Sequence, residues 1–174
     1  MGVGRQGSAP ASALARLDRA GLRWARTTGH TPGAERAVAA FSGVGEHGAV
    51  WLVLGLAGGL LDRPRRHEWL RAVRVVAGAY AANTALKLLF RRRRPRLRGL
   101  PPLAGTPTQL SFPSAHATTS FAGACAYSRL GVPAAPLAAL AAALAASRVY
   151  LGLHYPSDVL AGAALGTGAA RLAR

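Results

Sequence analysis

A series of uncharged apolar runs, cut apart by arginine- and proline-bearing segments, decides what this chain can become. The runs are Gly48–Leu61, Val75–Leu86, Ala117–Ser128, Leu130–Ser147 and Val159–Ala170. They are rich in Ala, Leu and Gly, they show no strand-like alternation, and no internal repeat links them, so the chain is expected to be all helical. A spanning helix needs roughly 20 mostly apolar residues. Only Leu130–Ser147 approaches that length alone; the others reach it if flanking polar residues sit at the interface or in a polar pocket. Hydropathy therefore leaves a soluble alanine-rich bundle as the rival. The charge argues against it: 22 Lys+Arg against 6 Asp+Glu give a formal net charge of +16 in a chain that is 51% hydrophobic. A nucleic-acid binder would explain the charge but not the apolar runs. A membrane protein explains both, because basic residues collect at the ends of apolar spans.

The expected architecture is a polytopic membrane bundle of about six helices with an N-terminal amphipathic helix. Residues 1–32 form a tail and a surface helix, and residues 33–174 the membrane-embedded domain. Met1–Pro10 reads as disordered. In "ASALARLDRAGLRWAR", Leu14, Leu17, Leu22 and Trp24 lie among Arg16, Arg19, Arg23 and Arg26, the pattern of a helix lying on a membrane surface. Ala34–Val44 is either a second surface helix or the start of a span. Spans follow over Gly48–Leu61 and Trp69–Phe90, joined by the basic hairpin at Asp62–Glu68. Prolines 95, 101, 102 and 107 break the next stretch into a loop. Pro113 fits the first position of a helix that runs to about Leu130. Another helix ends near Leu151, and Pro156 opens the last, up to Ala170. The N-terminus lacks the pattern of a cleavable signal peptide. Cys125 stands alone, so no intramolecular disulfide is possible.

Alternating spans bring three polar constellations to one face. In "KLLFRRRRP", Lys87 sits late in a helix and Arg94 precedes the loop proline; alone, such arginines are more often topology signals. In "FPSAHA", Ser114 and His116 occupy a helix start, whose free N–H groups favour an anion. In "SRVYLGLHYPSD", Arg148 ends one helix, His154 lies in the turn and Asp158 opens the next helix, within reach of a His154 ring nitrogen. Two histidines, one carboxylate, one serine and three cations suit phosphoryl transfer. The cations neutralise phosphoryl oxygens, one histidine attacks and the other protonates the leaving oxygen.

K-x6-RP at Lys87–Pro95, PSxH at Pro113–His116 and SR-x5-H-x3-D at Ser147–Asp158 together resemble the three signature motifs of the type 2 phosphatidic acid phosphatase family. One departure is Ala115, where that family often has glycine. The resemblance implies a membrane-bound lipid phosphatase of the cell envelope. His154 would be the nucleophile, forming a phosphohistidine, with Asp158 as its orienting partner and His116 as general acid. Lys87, Arg94, Ser114 and Arg148 would hold the phosphoryl oxygens, and Ala115 would add a backbone N–H. The family works without a metal or other cofactor. The implied partners are a lipid phosphate or diphosphate and the bilayer, not nucleic acid, and the implied site opens on the extracytoplasmic face. A vanadate-dependent haloperoxidase shares this pocket in the wider superfamily, but those resemble larger soluble proteins. A non-enzymatic binder of anionic headgroups would explain the arginines, yet not the His–Asp spacing. Polyprenyl diphosphates, a polyprenyl-phosphoryl pentose phosphate, phosphatidylglycerol phosphate and phosphatidic acid are the candidate substrates.

Overall fold

The computed structural model describes residues 12–173, so the reading of Met1–Pro10 lies outside the described residues. Seven α-helices follow in order: α1 (Ala13–Thr27), α2 (Pro32–Val44), α3 (Ala49–Leu61), α4 (Arg66–Phe90), α5 (Ala115–Ser128), α6 (Ala134–Tyr150) and α7 (Pro156–Leu172). The all-helical class and the N-terminal amphipathic helix are as expected. No strand is formed among the described residues, only two isolated bridges inside the 91–112 loop. The boundaries differ in places. Pro113 does not open α5: Ser114 is its N-cap, because Ser114 keeps an extended ψ of 116° and its carbonyl accepts the first helical bond, from Thr118 N–H. Likewise α4 begins at Arg66, since a 3-10 turn at Arg63–Arg65 leads straight into it.

α5 is the axis of the fold. From His116 to Ala126 it offers mainly Ala, Gly, Ser and Thr, so α4, α6 and α7 pack against it closely and nearly every residue is buried. The contact with α7 is the tightest. A Cβ on Gly162 would come within 2.5 Å of the Ser114 carbonyl, and one on Gly166 would collide with the Thr118 carbonyl. Toward the other end of α5, Trp51, Trp69, Val76 and Tyr127 belong to the apolar core.

Helix α1 is amphipathic in an inverted sense. Leu14, Leu17 and Trp24 face outward, whereas Asp18, Leu22 and Arg26, spaced four apart, are buried against the bundle. Arg26 donates to the Pro101 carbonyl at 2.8 Å, and His30 stacks on Tyr150 with ring centroids 4.0 Å apart. The surface helix therefore lies on the same face as the 91–112 loop. Between α2 and α3 the chain kinks sharply at His47 (φ 52°) and Gly48 (φ 75°). Together these two helices, Pro32–Leu61, form the one stretch among the described residues long and apolar enough to cross a membrane by length and composition. Of the remaining helices only α4 is longer, and it carries Arg71, Arg74 and Lys87; α1, α5, α6 and α7 are 14 to 17 residues long, α6 being a shorter apolar helix. Their outer faces are nonetheless apolar, with Leu88, Leu89, Phe90 and Leu160 exposed.

Candidate active site

The loop after α4 explains how an arginine run becomes a site. Arg91 takes a left-handed conformation (φ 48°) and ends the helix. The chain then runs extended and pairs with residues 109–111, through Ser111 N–H to the Arg92 carbonyl at 2.8 Å and Arg94 N–H to the Gln109 carbonyl at 3.0 Å. In extended chain, alternate side chains share a face. Arg92 and Arg94 accordingly turn inward while Arg91 and Arg93 stay exposed. Lys87 fixes the far strand of this loop. Its ammonium donates to the carbonyls of Pro113 at 2.8 Å, Ser111 at 3.3 Å and Leu110 at 3.4 Å.

Lys87, Arg94, Ala115, His116, Arg148 and His154 line one small pocket of about 120 Å³, with Glu46, His47, Tyr80, Thr84 and Thr108 at its rim. About 10–15 Å³ of such space admits one water, so the pocket has room for several waters or a phosphoryl group. Ser114, next to Ala115, and Asp158 adjoin the pocket without lining it, tied together by Ser114 N–H donating to the Asp158 carbonyl at 2.9 Å. The eight residues singled out from the sequence are thus gathered at one place.

Arg94 lies across the pocket. Its Nε donates to Thr108 O at 2.8 Å, and Nη1 donates to Leu153 O at 2.8 Å and to His154 Nε2 at 3.0 Å. A guanidinium only donates, so Nε2 carries the lone pair and the hydrogen of neutral His154 sits on Nδ1. That Nδ1 points at Asp158 Oδ2 across 3.6 Å, longer than a hydrogen bond. The close pair expected between His154 and Asp158 is therefore looser than its spacing suggests, because Asp158 is already engaged. Its Oδ2 accepts from Tyr155 N–H at 2.9 Å and its Oδ1 from Arg92 at 2.7 Å. Burial pushes the His154 imidazole down to about 4; Asp158 opposes this, and Arg94 and Lys87 add to it. The ring is therefore neutral at pH 7 and needs no deprotonation before it can attack. Burial also lowers Arg94, to about 10, which leaves it cationic.

His116 is held from an element that sequence reasoning did not connect to the site. Its Nε2 donates to the Ser42 carbonyl at 3.1 Å, and Arg148 Nη1 donates to the Ser42 hydroxyl at 2.7 Å. A carbonyl only accepts, so Nε2 keeps its hydrogen and Nδ1 is the atom able to exchange one. Ser42, Glu46 and His47 come from α2 and its kink, and nothing in their local sequence marks them. Of the buried side-chain atoms without a protein partner, Ser114 Oγ, Arg148 Nε and His154 Nδ1 belong to the residues of this site. Among the described residues no group of three His, Cys, Asp or Glu is placed to hold a metal ion.

The sequence over residues 68–174 matches the PAP2 superfamily. The chain is also 43% identical, over 135 residues, to the decaprenylphosphoryl-5-phosphoribose phosphatase of Mycolicibacterium smegmatis, covering 75% of this chain and 72% of that protein. This chain belongs to the PAP2 superfamily. The protein of the same name from Mycobacterium tuberculosis is likewise 43% identical, over 78% of this chain and 76% of its own length. Two solved structures share the fold. A transmembrane PAP2-type phosphatidylglycerolphosphate phosphatase from Bacillus subtilis superposes with a TM-score of 0.79 at 23% identity, over 94% of this chain and 85% of its own. LpxE from Aquifex aeolicus gives 0.74 at 24%, over 87% and 91%. The fold shared with these PAP2 proteins is consistent with a membrane location.

Proposed function

We propose that this PAP2 protein hydrolyses the phosphate monoester of a polyprenyl-phosphoryl pentose phosphate through a phosphohistidine on His154. Hydrolysis of a lipid phosphate is the activity of the class. The narrower substrate rests on the two relatives at 43% identity and on the polar rim of the pocket, where Glu46, His47, Tyr80, Thr84 and Thr108 offer partners to sugar hydroxyls. The observation that carries the reading is the convergence of two histidines and three cations on one small pocket with room for a phosphoryl group.

In this reading Arg94 leaves His154 Nε2 to bind an entering phosphoryl oxygen, joined by Arg148, Lys87, the Ser114 hydroxyl and the Ala115 N–H. Nε2 attacks phosphorus, and the P–O bond to the sugar breaks. A sugar alkoxide is a poor leaving group and takes a proton from Nδ1 of a His116 that enters the step as the imidazolium, protonated on both ring nitrogens. Water then attacks phosphorus and gives a proton to His116 Nδ1, while the P–N bond breaks and its electron pair returns to His154 Nε2, which frees inorganic phosphate and restores both histidines. Asp158 steadies Nδ1–H throughout.

Phosphate release from a lipid panel in detergent micelles tests this. The polyprenyl-phosphoryl pentose phosphate should turn over fastest, ahead of phosphatidylglycerol phosphate and phosphatidic acid. Release from none of them overturns the reading.

The face of the site belongs to the same proposal. The resemblance implies the extracytoplasmic side. Arg63, Arg65, Arg66 and Arg171 at the opposite end agree with that side under the positive-inside tendency, whereas the arginines of α1 and of residues 91–98, on the catalytic face, pull the other way. Impermeant labelling of a cysteine at Gly99, with Arg65 as the opposite marker, decides between the two.

A further inference from the structure

Behind His154 runs a chain of charges that the three motifs do not include. Arg92 Nη1 donates to Asp158 Oδ1 at 2.7 Å and to Ser157 Oγ at 2.7 Å, while Nη2 donates to Asp18 Oδ2 at 2.7 Å. Its guanidinium also lies 4.3 Å from the centre of the Tyr155 ring. Asp18 reaches in from α1 and takes the first turn of α7 as well: Oδ1 accepts from Ser157 N–H at 2.9 Å, and Oδ2 from Ser157 Oγ at 2.6 Å. Both carboxylates are almost wholly buried, at 2% exposure for Asp18 and 0% for Asp158. Burial pushes the Asp18 carboxyl up, but hydrogen bonds from Arg92 and Ser157 outweigh it and leave the carboxyl below its usual range.

We propose that Asp18 and Arg92 are positioning residues for the reaction: Arg92, shared between two buried carboxylates, holds Asp158 behind His154, and Asp18 sets how much of the Arg92 charge falls on Asp158. This rests on the reading of His154 as the nucleophile. Two carboxylates against one guanidinium leave one negative charge beside the imidazole. Removing the Asp18 charge would leave Arg92 to neutralise Asp158, and the nucleophile would lose its electrostatic support. Removing Arg92 would do the reverse, freeing Asp158 but letting it drift. Neither side chain lines the phosphate pocket, so both act on rate rather than on affinity.

The signs of these effects separate a charge relay from a brace. His154 is faced by Asp158 from α7, by Arg94 and Lys87 from the loop and the end of α4, and across the pocket by His116 and Arg148. Neither variant substitutes any of these groups. In ring-labelled protein in micelles, the His154 titration followed by NMR should move down in Asp18→Asn and up in Arg92→Gln. Asp18→Asn should also lose about 10- to 100-fold in kcat, as outer partners of site groups do when removed, with KM within about twofold and partial rescue by Asp18→Glu. Should Asp18→Asn fail to fold, the upward move in Arg92→Gln alone carries the test. Shifts of the same sign in both variants, no shift in Arg92→Gln, or a loss confined to KM would overturn the proposal. Failure of the function itself looks different: wild-type protein inactive on every lipid phosphate, with the opposed titration shifts intact.

Discussion

The two ends of α5 solve opposite problems. At its C-terminal end Tyr127 is fully buried between Trp51 and Trp69, with ring centroids 6.5 and 5.7 Å away, and its hydroxyl donates to the Trp51 carbonyl at 2.7 Å. Every polar atom of that side chain is paired. At its N-terminal end the Ser114 hydroxyl is buried without a partner, His116 hangs from a carbonyl of α2, and three cations crowd the same space. Unpaired buried polar atoms cost stability, and they persist where a ligand or a reaction uses them. One end of the helix is built to hold the bundle together. The other leaves valences open, as a phosphate site must.

That contrast breaks first at His154. If the open end is catalytic, His154→Ala should lower turnover by more than about 10⁴-fold, as loss of a nucleophile does, and should abolish the phosphoenzyme. Labelled phosphate trapped on His154→Ala at the wild-type level would remove the nucleophile from this account. Asp158→Asn comes next. It should leave phosphate binding mostly intact and reduce the rate by about 10²–10⁴-fold, the effect of losing an orienting carboxylate. An unchanged rate would make Asp158 a helix-start residue, consistent with its bond to Tyr155 N–H.

His116 sharpens the same comparison, because it separates acid catalysis from anion binding. A nitrophenolate departs without a proton, whereas a sugar or lipid alkoxide needs one. His116→Ala should therefore lose about 10²–10⁴-fold on the lipid phosphate and far less on nitrophenyl phosphate. Substituting Arg94 or Arg148 should damage both substrates alike, since both present the same phosphoryl oxygens. Equal losses for His116→Ala on the two substrates would leave the mechanism without its acid.

Much of this was legible in the sequence where residues stand at fixed spacing on one element. Arg148, His154 and Asp158 lie within a helix–turn–helix, so their meeting follows from local geometry. Lys87 was legible as a site residue but not in its contacts, which run to three loop carbonyls. What the sequence hid came from distant segments. Ser42 meets His116 and Arg148 only because α2 folds over the site, and no local pattern announces that. Arg92 stands inside a run of four arginines with no local sign that the run is extended chain, the state in which the i, i+2 rule pairs it with Arg94. Asp18 carried a fainter signal: it is the lone acid of α1 and shares a face with Leu22 and Arg26.

The smallest predicted effects test the comparison most directly, because they differ in sign. Tyr127→Phe removes a hydroxyl whose hydrogen bond is made, and leaves the pocket untouched. It should lower stability by about 1 kcal/mol, read as a lower Tm in micelles, with kcat unchanged. Ser114→Ala removes a hydroxyl whose hydrogen bond is not made. Ser114 is the N-cap of α5, but its side chain makes no capping bond, so alanine forfeits none. Relieved of a buried orphan, the variant should gain stability on the order of 1 kcal/mol. It should also lose about tenfold or more in activity, since a hydrogen bond to a charged phosphoryl oxygen is worth about 1.5–3 kcal/mol. A Tm that falls in Ser114→Ala would mean the hydroxyl is paired in the resting protein, and the open end of α5 would then be no more open than the other.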